Sequence, residues 1–345
     1  MPGPRPLTAE EPPAHVADGA LAPCPAAFVA RLVQALGDVD AARVLDKLRT
    51  PRRVGLWVNP LRIGTRDGVQ EGVLPNAATI DAALAALPVA VAAIPGLAGA
   101  FVMPAAARAA LLASQAAHDG AVWLQNPSSV LPVLALAPQP GQEVLDLAAA
   151  PGMKTLHIAA LMANCGRIAA VEAIKPRFFK LRDVLQRGGV TIAQTYLADG
   201  RMIGRKTPAR FDRVLLDAPC SSEARFRRDV PASMQHWSEH KVRECAHKQR
   251  GLLWSAFLAL KPGGRMVYST CSFAVEENEG SIAWLLTRAA GQARLVPWSA
   301  PAGDTRAGVT RWRNAVWSAQ LSLCVRVLPD GLFGGFFIAV IEKGL

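Results

Sequence analysis

Cysteine is scarce in this chain: six in 345 residues, with no two spaced as CxxC. That excludes a disulfide framework and fits a reducing cytoplasm. HExxH is missing as well. His236 and His240 could share one helix face, but with Cys245 and His247 they are read as part of a surface helix, and no metal is expected. Charge is thin at 19% of residues, and acidic charge thinner still: 27 Asp and Glu stand against 38 Lys and Arg, a net +11. Just over half the residues are apolar, enough for a large core and too many for a disordered chain. Residues 82–107 carry no charge, a length that could span a bilayer. Pro88, Pro95 and Pro104 would break such a helix, and Gly96 and Gly99 loosen it. The segment is read as strand, turn and helix, with no membrane partner. The opening MPGPRPLTAEEPPAH has no apolar signal-peptide core, and residues 1–22 are expected to form a disordered tail.

What is present is order along the chain, without internal repeats. Helical patterns cover Pro25–Leu36 and Val39–Arg49, stopped at Thr50-Pro51, and VGLWVNPLRI (54–63) reads as a strand. A helix near 104–114 and a strand at 121–126 follow. From Glu143 the pattern alternates. Apolar strands are expected at EVLDLA, 167–173, 191–199, 211–219 and 264–271, with helices from Lys154, at Pro176–Arg187, at about 243–260 and at about 276–290. Two more strands are placed at 319–328 and 335–342. Strands alternating with helices imply a parallel, doubly wound α/β sheet.

In such a sheet ligands sit outside the carboxyl ends of the strands. Five strand ends bring Asp146, Glu172, Asp199, Asp217 with Cys220, and Thr270 with Cys271 to that crevice. The turn AAAPGMK (Ala148, Ala149, Ala150, Pro151, Gly152, Met153, Lys154) has small residues that let a ligand approach the backbone, and it opens a helix. Neither GxGxxG nor a Walker loop is present, which argues against a dinucleotide or a triphosphate. Glu172 lies where an acid commonly accepts hydrogen bonds from ribose. An adenosine-type ligand without a phosphate loop points to S-adenosylmethionine. Cys271 precedes an expected helix start, whose dipole favours a thiolate. Glu276, Glu277 and Glu279 in the first turns oppose it. Two basic windows, 40–66 and 201–228, each net +5 and suit a polyanion such as nucleic acid.

LDLAAAPGMKT, AVEAIKPRFFKLRDVLQRGGV, FDRVLLDAPCSS and VYSTCSFAVEENE resemble, in order and spacing, the Nop/Sun family of RNA (cytosine-5) methyltransferases. The resemblance covers about 115–345 and includes LQNPSSVLPVLALAPQPGQ and RVLPDGLFGGFFIAVIEK; WVNPLRI resembles the family's N-terminal RNA-binding module. It implies a class I methyltransferase fold, Rossmann-like and with a seven-stranded doubly wound sheet, behind a smaller N-terminal α+β domain at 23–114. S-adenosylmethionine contacts carry over to Ala148–Lys154, Glu172, Asp199 and Asp217, with Arg177 supporting that edge. The nucleophile carries over to Cys271 and the release cysteine to Cys220; Lys154 and Asp217 face the reacting base. RNA is the implied substrate, ribosomal before transfer, for a cytoplasmic monomer. Three features depart from the family pattern: Met153 replaces the second glycine of APGGK, Glu172 replaces a frequent Asp, and SSEAR (221–225) lacks the glycine common after PCS. A non-catalytic RNA-binding or ribosome-assembly factor on the same fold is the alternative, which the paired cysteines oppose. A small-molecule methyltransferase would need neither the pair nor the basic windows.

Overall fold

The computed structural model describes residues 21–49, 53–63 and 76–345. Most of the expected tail, the stop at Thr50-Pro51, and Arg52 and Arg66 of the first basic window lie outside them.

Helix α1 (Ala26–Lys47) is two helical stretches interrupted at Gly37, whose φ of 77° takes it out of the helical region. The two stretches read from the sequence meet at this kink. Strand β1 (Val54–Val58), helix α2 (Ala77–Ala85), strands β2 (Ala92–Ala93) and β3 (Ala100–Met103), short helices α3 (Arg108–Leu112) and α4 (Gln115–His118) and strand β4 (Val122–Leu124) follow. The four strands form an antiparallel sheet in the order β2-β3-β1-β4. Two expectations change here. The helix placed at 104–114 is a 3-10 turn followed by α3 and α4, because Ser114 caps a new helix by accepting from the Ala117 N–H. The domain boundary at 114 falls short, because Leu56 pairs with Leu124 and the smaller sheet extends to that residue. No helix among the described residues is long and apolar enough to cross a membrane.

After α5 (Leu131–Leu136) come β5 (Glu143–Asp146), α6 (Met153–Leu161), β6 (Arg167–Glu172), α7 (Lys175–Arg187), β7 (Ala193–Leu197), α8 (Ile203–Lys206), β8 (Phe211–Asp217), α9 (Glu239–Ala259), β9 (Leu260–Thr270) and α10 (Glu279–Arg288). The chain closes with β10 (Ala293–Leu295), β11 (Asp304–Ala307), the β12–β13 hairpin (Arg311–Trp312, Ala315–Val316), β14 (Val325–Leu328) and β15 (Phe336–Lys343). The large sheet runs β11-β14-β15-β9-β8-β5-β6-β7, and β10 also pairs with β15. The sheet is mixed. Strands β5 to β9 pair in parallel, but β15 lies antiparallel between β9 and β14, because β14 and β15 are joined by a short connection and not by a crossover helix. Of the segment 319–328, only 325–328 is strand; Ala319–Leu323 is a 3-10 turn.

The central strands are apolar on both faces because helices cover both. Leu215 and Val267 face the layer containing α5, α6 and α7. Val214, Leu216, Met266 and Tyr268 alternate to the layer of α9 and α10. A third cluster joins α1 to the loops at the strand ends: Phe28 meets Phe226, Trp237 and Phe273 edge-on or tilted, with ring centroids 5.1, 5.9 and 6.5 Å away.

The smaller sheet docks on α6 through Trp57, whose ring centre lies 3.9 Å from that of buried His157. The His157 Nε2 has no hydrogen-bond partner among the described residues. Burial first, and the Lys154 charge second, lower its pKa from 6.5 to about 3. The unfolded chain therefore takes up this proton before the folded one, and stability is lost as pH falls below 6.5. Between pH 7 and pH 5 the loss should be roughly 2 kcal/mol. His157→Phe keeps a ring on Trp57 and removes the titration. Urea unfolding at both pH values should show the wild-type chain losing about that much more than the variant; equal losses would show that His157 is not the acid-sensitive group.

Candidate active site

All five parallel strands end on one edge of the large sheet, so their terminal residues converge. Asp146 closes β5. It is fully buried, accepts the Thr155 hydroxyl at 2.7 Å, and is pushed by burial to a pKa of about 6. The turn after it is held on two sides: the Ala149 N–H donates to Val171 O, and Arg177 donates to Ala150 O at 2.8 Å. Gly152 has φ 113°, and a Cβ there would stand 3.1 Å from the side chains of Leu181 and Val184; glycine lets α6 start against α7. Met153 is the first residue of α6, a position that makes no demand for glycine, so its departure from APGGK leaves the turn intact.

Glu172 closes β6 and is buried. Its Oε1 accepts from the Ile174 N–H at 2.9 Å, while Oε2 has no hydrogen-bond donor among the described residues, and Arg177 lies 3.7 Å from it. Asp199, past β7, is more exposed and engages Arg201 in a two-point ion pair, with contacts of 3.0 and 2.6 Å. The Arg201 hydrogen bond holds its carboxyl below the usual range. Asp217 closes β8. Its Oδ1 accepts from the Ser269 hydroxyl at 2.8 Å and its Oδ2 from the Lys154 ammonium at 2.7 Å, and that ammonium lies over the Phe336 ring.

The cysteines come together. Cys220, after β8, and Cys271, after β9, are both free thiols with sulfurs 3.3 Å apart. The Cys271 thiol is lowered, chiefly by the hydrogen bond from Cys220, with help from Ser222 and the Arg225 charge. Cys220 is raised by that same bond, by burial and by the Glu277 charge. The pair is thus polarised: Cys271 gives up its proton more readily than Cys220 does. The helix dipole expected at Cys271 is absent, because α10 begins only at Glu279. Glu276, Glu277 and Glu279 belong to the connecting loop and the helix start, and each has its own partners.

A network not foreseen from the sequence shapes both thiol loops. Buried Glu277 accepts from the Ser221 N–H at 2.9 Å, the Ser221 hydroxyl, the Ser272 hydroxyl at 2.9 Å and Gln249 of α9 at 2.8 Å. Buried Glu223 accepts from Trp237 Nε1, Phe273 N–H and Ser272 Oγ at 2.8, 2.9 and 3.1 Å. Burial, with Glu223 nearby, raises Glu277 to about 7. The acids in VYSTCSFAVEENE were the available signal, but nothing local shows that Glu277 turns inward. Of the basic windows, Arg43 pairs with Asp304, Arg201 with Asp199 and Arg227 with Asp229. Arg205, Lys206 and Arg225 have no ion pair among the described residues. No group of three or more His, Cys, Asp or Glu among those residues could hold a metal ion.

Taken along the sheet, the seven strands from β5 to β9 with β14 and β15 have the order and the single reversed strand of a class I, Rossmann-like methyltransferase. Solved structures agree. A methyltransferase homologue from Pyrococcus horikoshii is 29% identical, with a TM-score of 0.75 over 92% of this chain and 95% of that one. NSun6 from Pyrococcus horikoshii, solved with SFG, is 20% identical and shares the fold, with a TM-score of 0.74 over 93% and 98% of the two chains. The family described as 16S rRNA methyltransferase RsmB/F matches residues 133–342, and the chain belongs to that family. It is 40% identical over 191 residues to ribosomal RNA small subunit methyltransferase F of Klebsiella pneumoniae, and 45% over 162 residues to that of Vibrio vulnificus. These alignments cover 54% and 46% of this chain but only 39% and 34% of the relatives.

Proposed function

We propose that the protein transfers a methyl group from S-adenosylmethionine to C5 of a cytosine in small-subunit ribosomal RNA. The observation that carries this reading is the polarised thiol pair, sulfurs 3.3 Å apart, beside the Lys154–Asp217 ion pair at the ends of adjacent strands. The cofactor fits the residues present. Buried Glu172 Oε2 lacks, among the described residues, a donor that a ribose hydroxyl would supply, and the turn Ala148–Lys154 leaves backbone close to the crevice. Glu172 with Arg177, Asp199 and Asp217 complete the set that would hold it. When bound, it supplies an electrophilic methyl group.

Cytosine C5 is too weak a nucleophile to take a methyl group unaided. The Cys271 thiolate adds to C6, and the electron pair released into the ring makes C5 nucleophilic. Asp217 and Lys154, fixed by each other and by Ser269, steady the polar edge of the base as charge builds there. After methylation, C5 still holds its hydrogen. Passing that proton to water and expelling Cys271 restores the aromatic ring, and the Cys220 thiol is placed to orient that water and to hydrogen-bond the departing Cys271 sulfur. The base must leave its stack to reach the sulfurs, which favours a loop or locally opened RNA. Arg225, beside the Cys220 loop and without an ion pair among the described residues, is free to meet phosphates near this crevice. On this reading the protein acts as a monomer in the cytoplasm.

Incubating the purified chain with methyl-labelled cofactor and small-subunit RNA should place label in 5-methylcytosine, read by nucleoside mass spectrometry. Label in another nucleoside, or none with free RNA and with assembled subunits alike, would overturn the assignment.

A further inference from the structure

Ser222 stands where the family commonly has glycine, and it keeps the backbone glycine would have: φ 61°, ψ 28°, in the left-handed region. A serine there is strained, and strain held at a reactive site is a reason to ask what the side chain does. Its hydroxyl lies 3.7 Å from the Cys271 sulfur and 4.0 Å from the Cys220 sulfur, with the Cys220 carbonyl at 3.4 Å. The neighbouring hydroxyl cannot substitute, because Ser221 is bound through both N–H and Oγ to Glu277.

We infer that Ser222 is a further residue of the thiol machinery, donating its hydroxyl hydrogen to the Cys271 thiolate and so holding that sulfur as the nucleophile. The inference rests on the reading of Cys271 given above. A hydroxyl has one hydrogen and two acceptor sites. With Cys271 protonated, Ser222 accepts from the S–H and gives its hydrogen to the Cys220 carbonyl. When the thiol proton has left to water, rotation about the Cβ–Oγ bond turns the hydroxyl hydrogen onto the sulfur. The surroundings make such a donor useful. Asp217 on β8 opposes ionisation of Cys271, and the buried Glu223 and Glu277 add negative charge behind Ser272. Arg225 and the Cys220 thiol favour it. Lys154 is committed to Asp217.

The test is the pH profile of iodoacetamide alkylation at Cys271, quantified on its own peptide by mass spectrometry, in the full chain without RNA or cofactor. Ser222→Ala and Ser222→Gly remove the same hydroxyl but differ in backbone preference. Both should shift the profile to higher pH and slow Cys271 alkylation at pH 7 about threefold to tenfold. Ser222→Gly should at the same time melt higher than Ser222→Ala, because glycine is at ease in this conformation. An unchanged profile in both variants would overturn the inference. So would a shift in only one, which would mark a backbone effect. The profile is read on the free protein, so it does not depend on which sulfur attacks RNA. If Cys271→Ser still forms an RNA adduct, the nucleophile reading fails separately.

Discussion

Cys271→Ser should abolish both methylation and covalent capture of RNA, with activity falling about 10³-fold or more, because a serine hydroxyl without a dedicated base does not add to C6. Cys220→Ser should do something different. Addition and methyl transfer remain open, but the step that removes the C5 proton and frees Cys271 loses its partner. A protein–RNA adduct that survives denaturing electrophoresis should accumulate, and turnover should stop after about one event. The two sulfurs are only 3.3 Å apart, so reach alone cannot assign the roles; the polarisation of the pair favours Cys271 as the nucleophile. Cys271 is lowered by the Cys220 hydrogen bond, Ser222 and Arg225, whereas Cys220 lies against the Glu277 charge. The double variant should match Cys271→Ser, since no adduct can be trapped if none forms. Capture by Cys271→Ser and not by Cys220→Ser would exchange the roles. Activity retained in both single variants would exclude a covalent route.

The residues proposed to carry this chemistry stand out in the sequence because they lie at strand ends, and strands announce themselves locally. Runs such as FDRVLLDAP and GRMVYSTC are apolar on both faces, and a doubly covered sheet sends their last residues to one edge. Resemblance is what gives Cys271 and Cys220 different expected roles, which spacing alone could not do. The reversed β15 was not legible: FFIAVI is equally apolar in either direction, and only pairing with β9 and β14 sets its sense. Nor was the reach of the smaller sheet to Leu124, a pairing formed across 68 residues of sequence with Leu56. Glu277 is the clearest loss. Read locally, EENE is the charged first turn of a helix. In the fold, Glu277 is buried under Ser221, Ser272 and Gln249, contacts between loops that no local pattern encodes.

The same limit applies to Arg326 and Glu279, and here the expected effect on stability is largest. Arg326 of β14 and Glu279 at the start of α10 are almost completely buried, at 3% and 0% side-chain exposure. The guanidinium makes a two-point contact with the carboxylate, Nε to Oε1 at 2.6 Å and a terminal nitrogen to Oε2 at 2.5 Å. Its other terminal nitrogen donates to Phe273 O at 3.0 Å, two residues past Cys271, and Glu279 Oε1 also accepts from the Val309 N–H at 3.0 Å. Removing one partner strands a charge where water cannot reach it. Arg326→Met should therefore lower unfolding free energy by about 3–5 kcal/mol. Arg326→Met with Glu279→Leu leaves no buried charge, but Phe273 O and Val309 N–H lose their partners. Its cost should be smaller, about 1–3 kcal/mol. Urea unfolding of the two single variants and the double variant measures the coupling directly. A double variant as damaged as the sum of the singles would mean that the groups act independently. A single variant within about 1 kcal/mol of wild type would show that the stranded charge finds solvent. The connection to Phe273 adds a functional readout. At temperatures where the variant is still folded, Arg326→Met should loosen the loop that carries Cys271 and lower kcat, while cofactor affinity at the β5–β6 end of the crevice stays unchanged.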